Sequence, residues 1–134
     1  MTETNPPNSP SPKRVLVVDD VAPVVNTIKA MLAQFGHEVD FAPNGREALA
    51  MYQPCKYDLV ITDYSMPTLD GLELAKAIKK QAPEQLILLI SAYTFRIAAN
   101  EGKYLPVDLV LRKPFSIREF QAALAELFGA GQTA

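Results

Sequence analysis

The fold class this sequence predicts is α/β: a doubly wound, five-stranded parallel sheet carrying five helices. Three observations lead there. Strand-like and helix-like segments alternate five times along 134 residues, the pattern of a parallel sheet with right-handed crossovers and helices on both faces. Several strand segments, such as Val15–Val18, Leu59–Ile61 and Leu86–Ile90, are continuously apolar, as strands covered on both faces are. The composition, 49% apolar and 21% charged, is that of one soluble domain long enough to bury a core.

Residues 1–12 are polar and hold Pro6, Pro7, Pro10 and Pro12. They bury too little to offset their ordering entropy and are expected to be a disordered tail. The first strand spans 14–18. Val21, Val24, Val25, Ile28, Met31, Leu32 and Phe35 then follow helical spacing, with Asp20 a candidate cap and Pro23 tolerated in the first turn. Gly36 stops this helix. The second strand, Glu38–Ala42, alternates weakly and reads as less buried. Asn44-Gly45 opens a second helix through Ala48, Leu49 and Tyr52 to Pro54.

After the Leu59–Ile61 strand, Asp70-Gly71 supplies turn and cap chemistry for a third helix. That helix turns Leu74, Ala75 and Ile78 inward and Lys76, Lys79 and Lys80 to solvent. Pro83 closes it, and the fourth strand spans 86–90. A fourth helix is expected over about 94–101, and a fifth strand over 107–111. Ser116 and Glu119 form a capping box for a last helix with the stripe Ile117, Phe120, Leu124, Leu127 and Phe128. Residues 129–134 form a short tail.

Net charge −2 offers no electrostatic basis for nucleic-acid binding. The single cysteine, Cys55, precludes an internal disulfide and is expected to be inert in a reducing compartment. The start of the chain carries no signal-peptide pattern, and no apolar run approaches the ~20 residues that span a bilayer. A cytoplasmic location without membrane insertion is expected. His37, the sole histidine, reads as a surface residue at a strand edge.

Chemistry concentrates at strand ends. The first strand runs into Asp19-Asp20, the third into Asp63, the fourth into Ser91 and the fifth into Arg112-Lys113-Pro114. In a doubly wound sheet of order 2-1-3-4-5 the first and third strands meet at the switch point, where ligands bind beyond the carboxyl ends. Asp19, Asp20 and Asp63 would be neighbours there, joined by a hydroxyl and an ammonium. That set suits a divalent cation plus a phosphoryl group. An aspartate at a strand end is more often a turn or helix cap, which accounts for one such residue but not for five arriving together.

These residues resemble the receiver domains of two-component response regulators. The matching pieces are Val17-Val18-Asp19-Asp20, the run Asp63-Tyr64-Ser65-Met66-Pro67-Thr68-Leu69-Asp70-Gly71, Ser91-Ala92 and Lys113-Pro114-Phe115. The resemblance covers residues 13–128 and implies a flavodoxin-like fold. It implies Asp63 as phosphoryl acceptor, a role open to carboxylates in covalent catalysis. It also implies Mg2+ held by Asp19, Asp20, Asp63 and the Ser65 backbone carbonyl, Lys113 as the ammonium paired with the phosphoryl group, and Ser91 as the hydroxyl that bonds it. A cis Lys113-Pro114 bond is expected by the same analogy.

The implied partner is a sensor histidine kinase or a histidine phosphotransfer protein. Output would pass by protein contact, through the surface formed by the 94–101 helix, the fifth strand and the last helix, in a monomer or weak dimer. One position departs from the family pattern: Val110 stands where an aromatic usually swings inward, and a β-branched aliphatic is too stiff for that movement. Tyr93 or Tyr104 is a candidate substitute, and a ring at Tyr93 is expected to shield an acyl phosphate from water. Two competing readings are a docking module with a vestigial site and a small Asp-nucleophile phosphatase. The second lacks a visible acid or base for the leaving group and a lid, so the protein is not expected to be a turnover enzyme.

Overall fold

The computed structural model describes residues 12–92 and 105–129. Its elements are β1 (Arg14–Val18), α1 (Ala22–Gln34), β2 (Glu38–Ala42), α2 (Gly45–Met51), β3 (Leu59–Asp63), α3 (Gly71–Gln81), β4 (Ile87–Ser91), β5 (Leu109–Arg112) and α4 (Ile117–Gly129). The five strands form one parallel sheet in the order β2-β1-β3-β4-β5, as expected. Among the described residues there are four helices rather than five. The helix expected over 94–101, the N-terminal tail up to residue 11, Tyr93, Tyr104 and the tail beyond 129 lie outside the described residues.

Strand side chains alternate between faces, and here both faces are covered. Val15, Val17, Leu59, Ile61, Leu88 and Ile90 meet Val25, Ile28 and Leu32 of α1 and Phe120, Ala123, Leu124 and Leu127 of α4. Leu16, Val18, Val60 and Ile87 meet Ala48 of α2 and Leu74, Ala75 and Ile78 of α3. That is why β1, β3 and β4 read as unbroken apolar runs while the edge strand β2 does not. Each fully buried Leu or Ile contributes about 1.5–3 kcal/mol, so the two layers fix the sheet that presents the strand ends.

The helix boundaries follow local rules, with corrections. Gly36, at φ +87, ends α1 with His37 N donating to Leu32 O at 3.0 Å and Gly36 N to Ala33 O at 2.9 Å, a glycine-based C-cap. Asn44 caps α2 by accepting from Glu47 N, and Asp70 with Glu73 forms a capping box on α3. The Ser116–Glu119 box is also present. Asp20, however, does not cap α1: the N-cap is Val21, without a side-chain cap, and it is Asp19 Oδ1 that accepts from Val21 N at 2.9 Å. Val21 (45% exposed) and Ile117 (42%) drop out of their apolar stripes, because both sit at helix starts, beyond the reach of the sheet. The second helix ends at Met51, with Tyr52 as its C-cap; the Tyr52 hydroxyl donates to buried Gln85 Oε1 at 2.5 Å.

Two residues read as solvated are tied into the fold. His37 is only 7% exposed: its Nδ1 accepts from Lys13 N at 3.0 Å, and its ring meets Phe128 edge to face at 5.7 Å. The final turn of α4 covers it, a tertiary contact that the strand-edge position conceals. Lys79 bridges Asp108 at 2.9 Å and donates to Gln85 O at 2.7 Å, linking α3 to the starts of β4 and β5.

Candidate functional site

Asp63 closes β3 and is almost fully buried. Its Oδ1 lies 2.7 Å from Lys113 Nζ, and its Oδ2 accepts from Ser65 N at 3.1 Å. Asp19 and Asp20 follow β1, the strand paired with β3. One carboxylate oxygen from each of Asp19, Asp20 and Asp63 falls within a cluster no more than 4.8 Å across. The switch point between β1 and β3 therefore brings the three expected carboxylates together.

The remaining residues arrive by register. Asp63 stands beside Ile90, so Ser91 is one residue further along β4. Ser91 is buried, and its carbonyl accepts from Lys113 N at 2.8 Å. That bond seats the backbone of the lysine that reaches Asp63. The Lys113-Pro114 bond is cis, as the resemblance implied. Ser65 enters through its backbone N–H on Asp63, while the residue itself is exposed. Val110 is half-buried on β5.

Electrostatics at the cluster favour a cation. The Asp19 carboxyl is held above the usual carboxylate range, first by burial and then by the Asp63 and Asp20 charges, against the opposing pull of the Val21 N–H and Lys113. A cation among these groups relieves both the desolvation and the repulsion.

Mg2+ takes oxygen ligands at 2.0–2.1 Å in near-octahedral geometry, so its ligand oxygens lie about 3–4 Å apart. The three carboxylates need close only slightly to share one ion, and an all-oxygen donor set is the kind Mg2+ prefers. The residues fit the metal.

One residue of the site exceeds its expected part. Sequence makes Gly71 a turn residue only, yet a Cβ there would collide with the Asp63 carbonyl oxygen and lie 2.9 Å from Tyr64 Cα. Its N–H donates to Tyr64 O at 2.8 Å. The start of α3 thus packs directly on the backbone of Asp63. The Asp-Gly pair seven and eight residues after the carboxylate is the available signal, but it also reads as an ordinary cap.

A fold of this order with this cluster at its switch point defines a class. The family model for the response regulator receiver domain matches residues 15–125, and the chain belongs to that family. Among its relatives, the alkaline phosphatase synthesis transcriptional regulatory protein PhoP of Bacillus subtilis is 33% identical over 122 residues, covering 91% of this chain and 51% of PhoP. The aerobic respiration control sensor protein ArcB of Escherichia coli is 31% identical over 116 residues, 85% of this chain but 15% of ArcB. The chain thus spans a small part of one relative and about half of the other. The chemotaxis protein CheY4 of Vibrio cholerae superposes with TM-score 0.78 at 32% identity, covering 87% of this chain and 99% of CheY4. The response regulator TrrA of Thermotoga maritima, solved in complex with Mg(2+)-BeF, superposes at 0.74 with 35% identity, covering 86% and 98%. Receiver domains act in two-component signalling, and phosphorylation and Mg2+ binding at the acidic site are general properties of the family.

Proposed function

We propose that this protein is a phospho-acceptor switch of a two-component phosphorelay, with Asp63 taking a phosphoryl group from a sensor histidine kinase or a histidine phosphotransfer protein. The observation that carries the reading is Lys113 Nζ at 2.7 Å from the carboxylate that shares a cluster within 4.8 Å with Asp19 and Asp20. An Asp63 oxygen forms the bond to phosphorus as the bond from phosphorus to the donor's imidazole nitrogen breaks and the imidazole leaves. Asp19, Asp20, Asp63 and the Ser65 carbonyl would hold Mg2+, which supplies charge neutralisation for the phosphoryl oxygens. Lys113 exchanges its Asp63 contact for a phosphoryl oxygen, and the Ser91 hydroxyl donates to another.

New charge-assisted bonds of this kind reorder neighbouring loops, and the change is read by a protein partner through the surface that includes β5 and α4. With Val110 in the place of the customary aromatic, that readout rests on other groups. The receiver occupies residues 13–128 between two tails, assists only its own phosphorylation and dephosphorylation, and works in the cytoplasm. No helix among the described residues is long and apolar enough to cross a membrane.

Incubation with Mg2+ and acetyl phosphate, followed by intact-mass measurement, tests this. One added phosphoryl group, absent in Asp63→Ala, is the expected result. Mg2+ binding without an adduct from small donors moves the test to a purified histidine kinase. An absence of both binding and adduct replaces the reading with that of a docking module.

A further inference from the structure

The loop between β3 and α3 carries Ser65, whose N–H holds Asp63 Oδ2, and it is anchored at two points downstream. Met66 is buried in the layer beneath α2 and α3. The loop then tightens: Leu69 N donates to Pro67 O at 2.7 Å across Thr68, which sits at φ +73. A β-branched residue avoids that left-handed conformation, and it persists only where the surroundings impose it.

The same loop makes a close contact with α2. Leu69 packs half-buried against the α2–α3 layer, over Gly45, the first residue of α2, which is itself buried. A Cβ on Gly45 would lie 2.9 Å from Leu69 Cδ2, 3.0 Å from the Leu69 carbonyl oxygen and 3.1 Å from Leu69 Cβ. Gly36 is the only described glycine at positive φ, so the backbone at position 45 does not call for glycine. The closeness of Leu69 does. Two of the three atoms belong to the loop backbone or sit directly on it, so a methyl group at 45 moves the loop rather than rotating a side-chain tip.

We infer that Gly45 is a positioning residue for the phosphoryl site: it lets Leu69 seat against α2, and that seat holds the β3–α3 loop where Ser65 meets Asp63. The inference deepens the proposed function and rests on it for the meaning of the site. It assigns a role to a residue of α2, an element that contributes nothing to the carboxylate cluster itself. Only few-tenths-of-an-ångström shifts are involved, but residues supporting metal ligands commonly change affinity by about 10–100-fold when altered.

The test compares Gly45→Ala, Leu69→Ala, the double variant and Ile78→Val with wild type. Ile78 lies in the same buried layer, toward the C-terminal end of α3, and serves as a destabilised control. Mg2+ affinity is read by calorimetry, the acceptance rate from acetyl phosphate by intact mass, and folding by circular dichroism. Gly45→Ala is expected to remain folded while losing on the order of tenfold in Mg2+ affinity and in acceptance rate. Leu69→Ala should lose a similar factor, with the double variant no worse than either single one, because both act through one contact. Ile78→Val should lower stability and leave both readouts within twofold of wild type.

A folded Gly45→Ala protein with wild-type affinity and rate overturns the inference. So does a control that loses as much as Gly45→Ala. If Gly45→Ala fails to fold, Leu69→Ala decides from the other side of the contact, and wild-type values there are equally fatal. Wild type that binds Mg2+ but accepts no phosphoryl group from acetyl phosphate or from a purified histidine kinase sinks the proposed function, while the affinity comparison still tests the loop. Wild type that does neither overturns both.

Discussion

Acidification should destabilise this fold through one histidine. His37 is 7% exposed, and its Nδ1 accepts from Lys13 N at 3.0 Å, a bond that only an unprotonated Nδ1 makes. Its pKa is lowered from 6.5, first by burial and then by the Lys13 charge, with Asp58 opposing more weakly. The unfolded chain therefore takes up a proton near pH 6.5, and the folded protein does so only at lower pH. Within that window the unfolded state binds more protons, so stability falls as pH falls. Above it the contribution is fully present and flat.

One proton sets a limiting slope of about 1.4 kcal/mol per pH unit. For a domain of this size that is about 3–5 °C in Tm per unit. Two carboxyls act nearby in pH with opposite signs. Asp19, raised chiefly by burial, adds stability on acidification, and Asp40, lowered chiefly by its bond from Tyr57, removes it. Both are present in a His37→Phe variant, which keeps a ring against Phe128 without a titrating nitrogen. The assay is urea unfolding followed by circular dichroism from pH 5 to 8, in chelator. The stability of wild type relative to the variant should fall steadily as pH drops below 6.5. A relative stability that stays constant across the range, or rises on acidification, refutes the argument.

Three further outcomes can be checked. On the proposed reading, Lys113→Met removes the ammonium 2.7 Å from Asp63; Mg2+ binding should persist while acceptance from acetyl phosphate slows by roughly 100-fold, and an unchanged rate would remove Lys113 from the chemistry. Tyr52→Phe leaves the buried Gln85 Oε1 without its 2.5 Å donor and should cost about 1–2 kcal/mol in urea unfolding; no measurable loss would mean that water replaces the hydroxyl. Asp108→Ala takes an acceptor from both Ile87 N and Lys79 Nζ, so it should cost about 1–3 kcal/mol, against less than about 1 kcal/mol for Lys79→Met. Equal losses in the two variants would place the value in the ion pair rather than in the strand start.

Much of this molecule was legible in its residues, for reasons that can be named. The sheet could be read because β1, β3 and β4 are buried on both faces and must be apolar throughout, a pattern no exposed segment imitates. The carboxylate cluster could be read because a doubly wound order forces the ends of the first and third strands together. Asp70 and Ser116 were legible as caps because capping is local, spanning three residues.

Other features had no local signal. Asp20 looked as good a cap as Asp70, yet the chain turns so that Asp19 accepts from the N–H of Val21, the residue before α1, and leaves Asp20 exposed beside the cluster. His37 looked like an edge residue because β2 is an edge strand; only the arrival of Phe128, 91 positions later, buries it. Lys79 shared its helix face with solvated lysines, and only the approach of Asp108 distinguished it.

The amino-acid order alone determined the five strands, the four described helices and which residue types stand at the strand ends, because periodicity and strand ends are properties of short segments. Tertiary structure alone decided the distances: the 2.7 Å from Lys113 to Asp63, the bare faces of Gly45 and Gly71 against the loop, and the burial of His37. Each joins segments remote in sequence, and close approach between such segments is set by the packing of the whole core, which no single stretch of chain encodes.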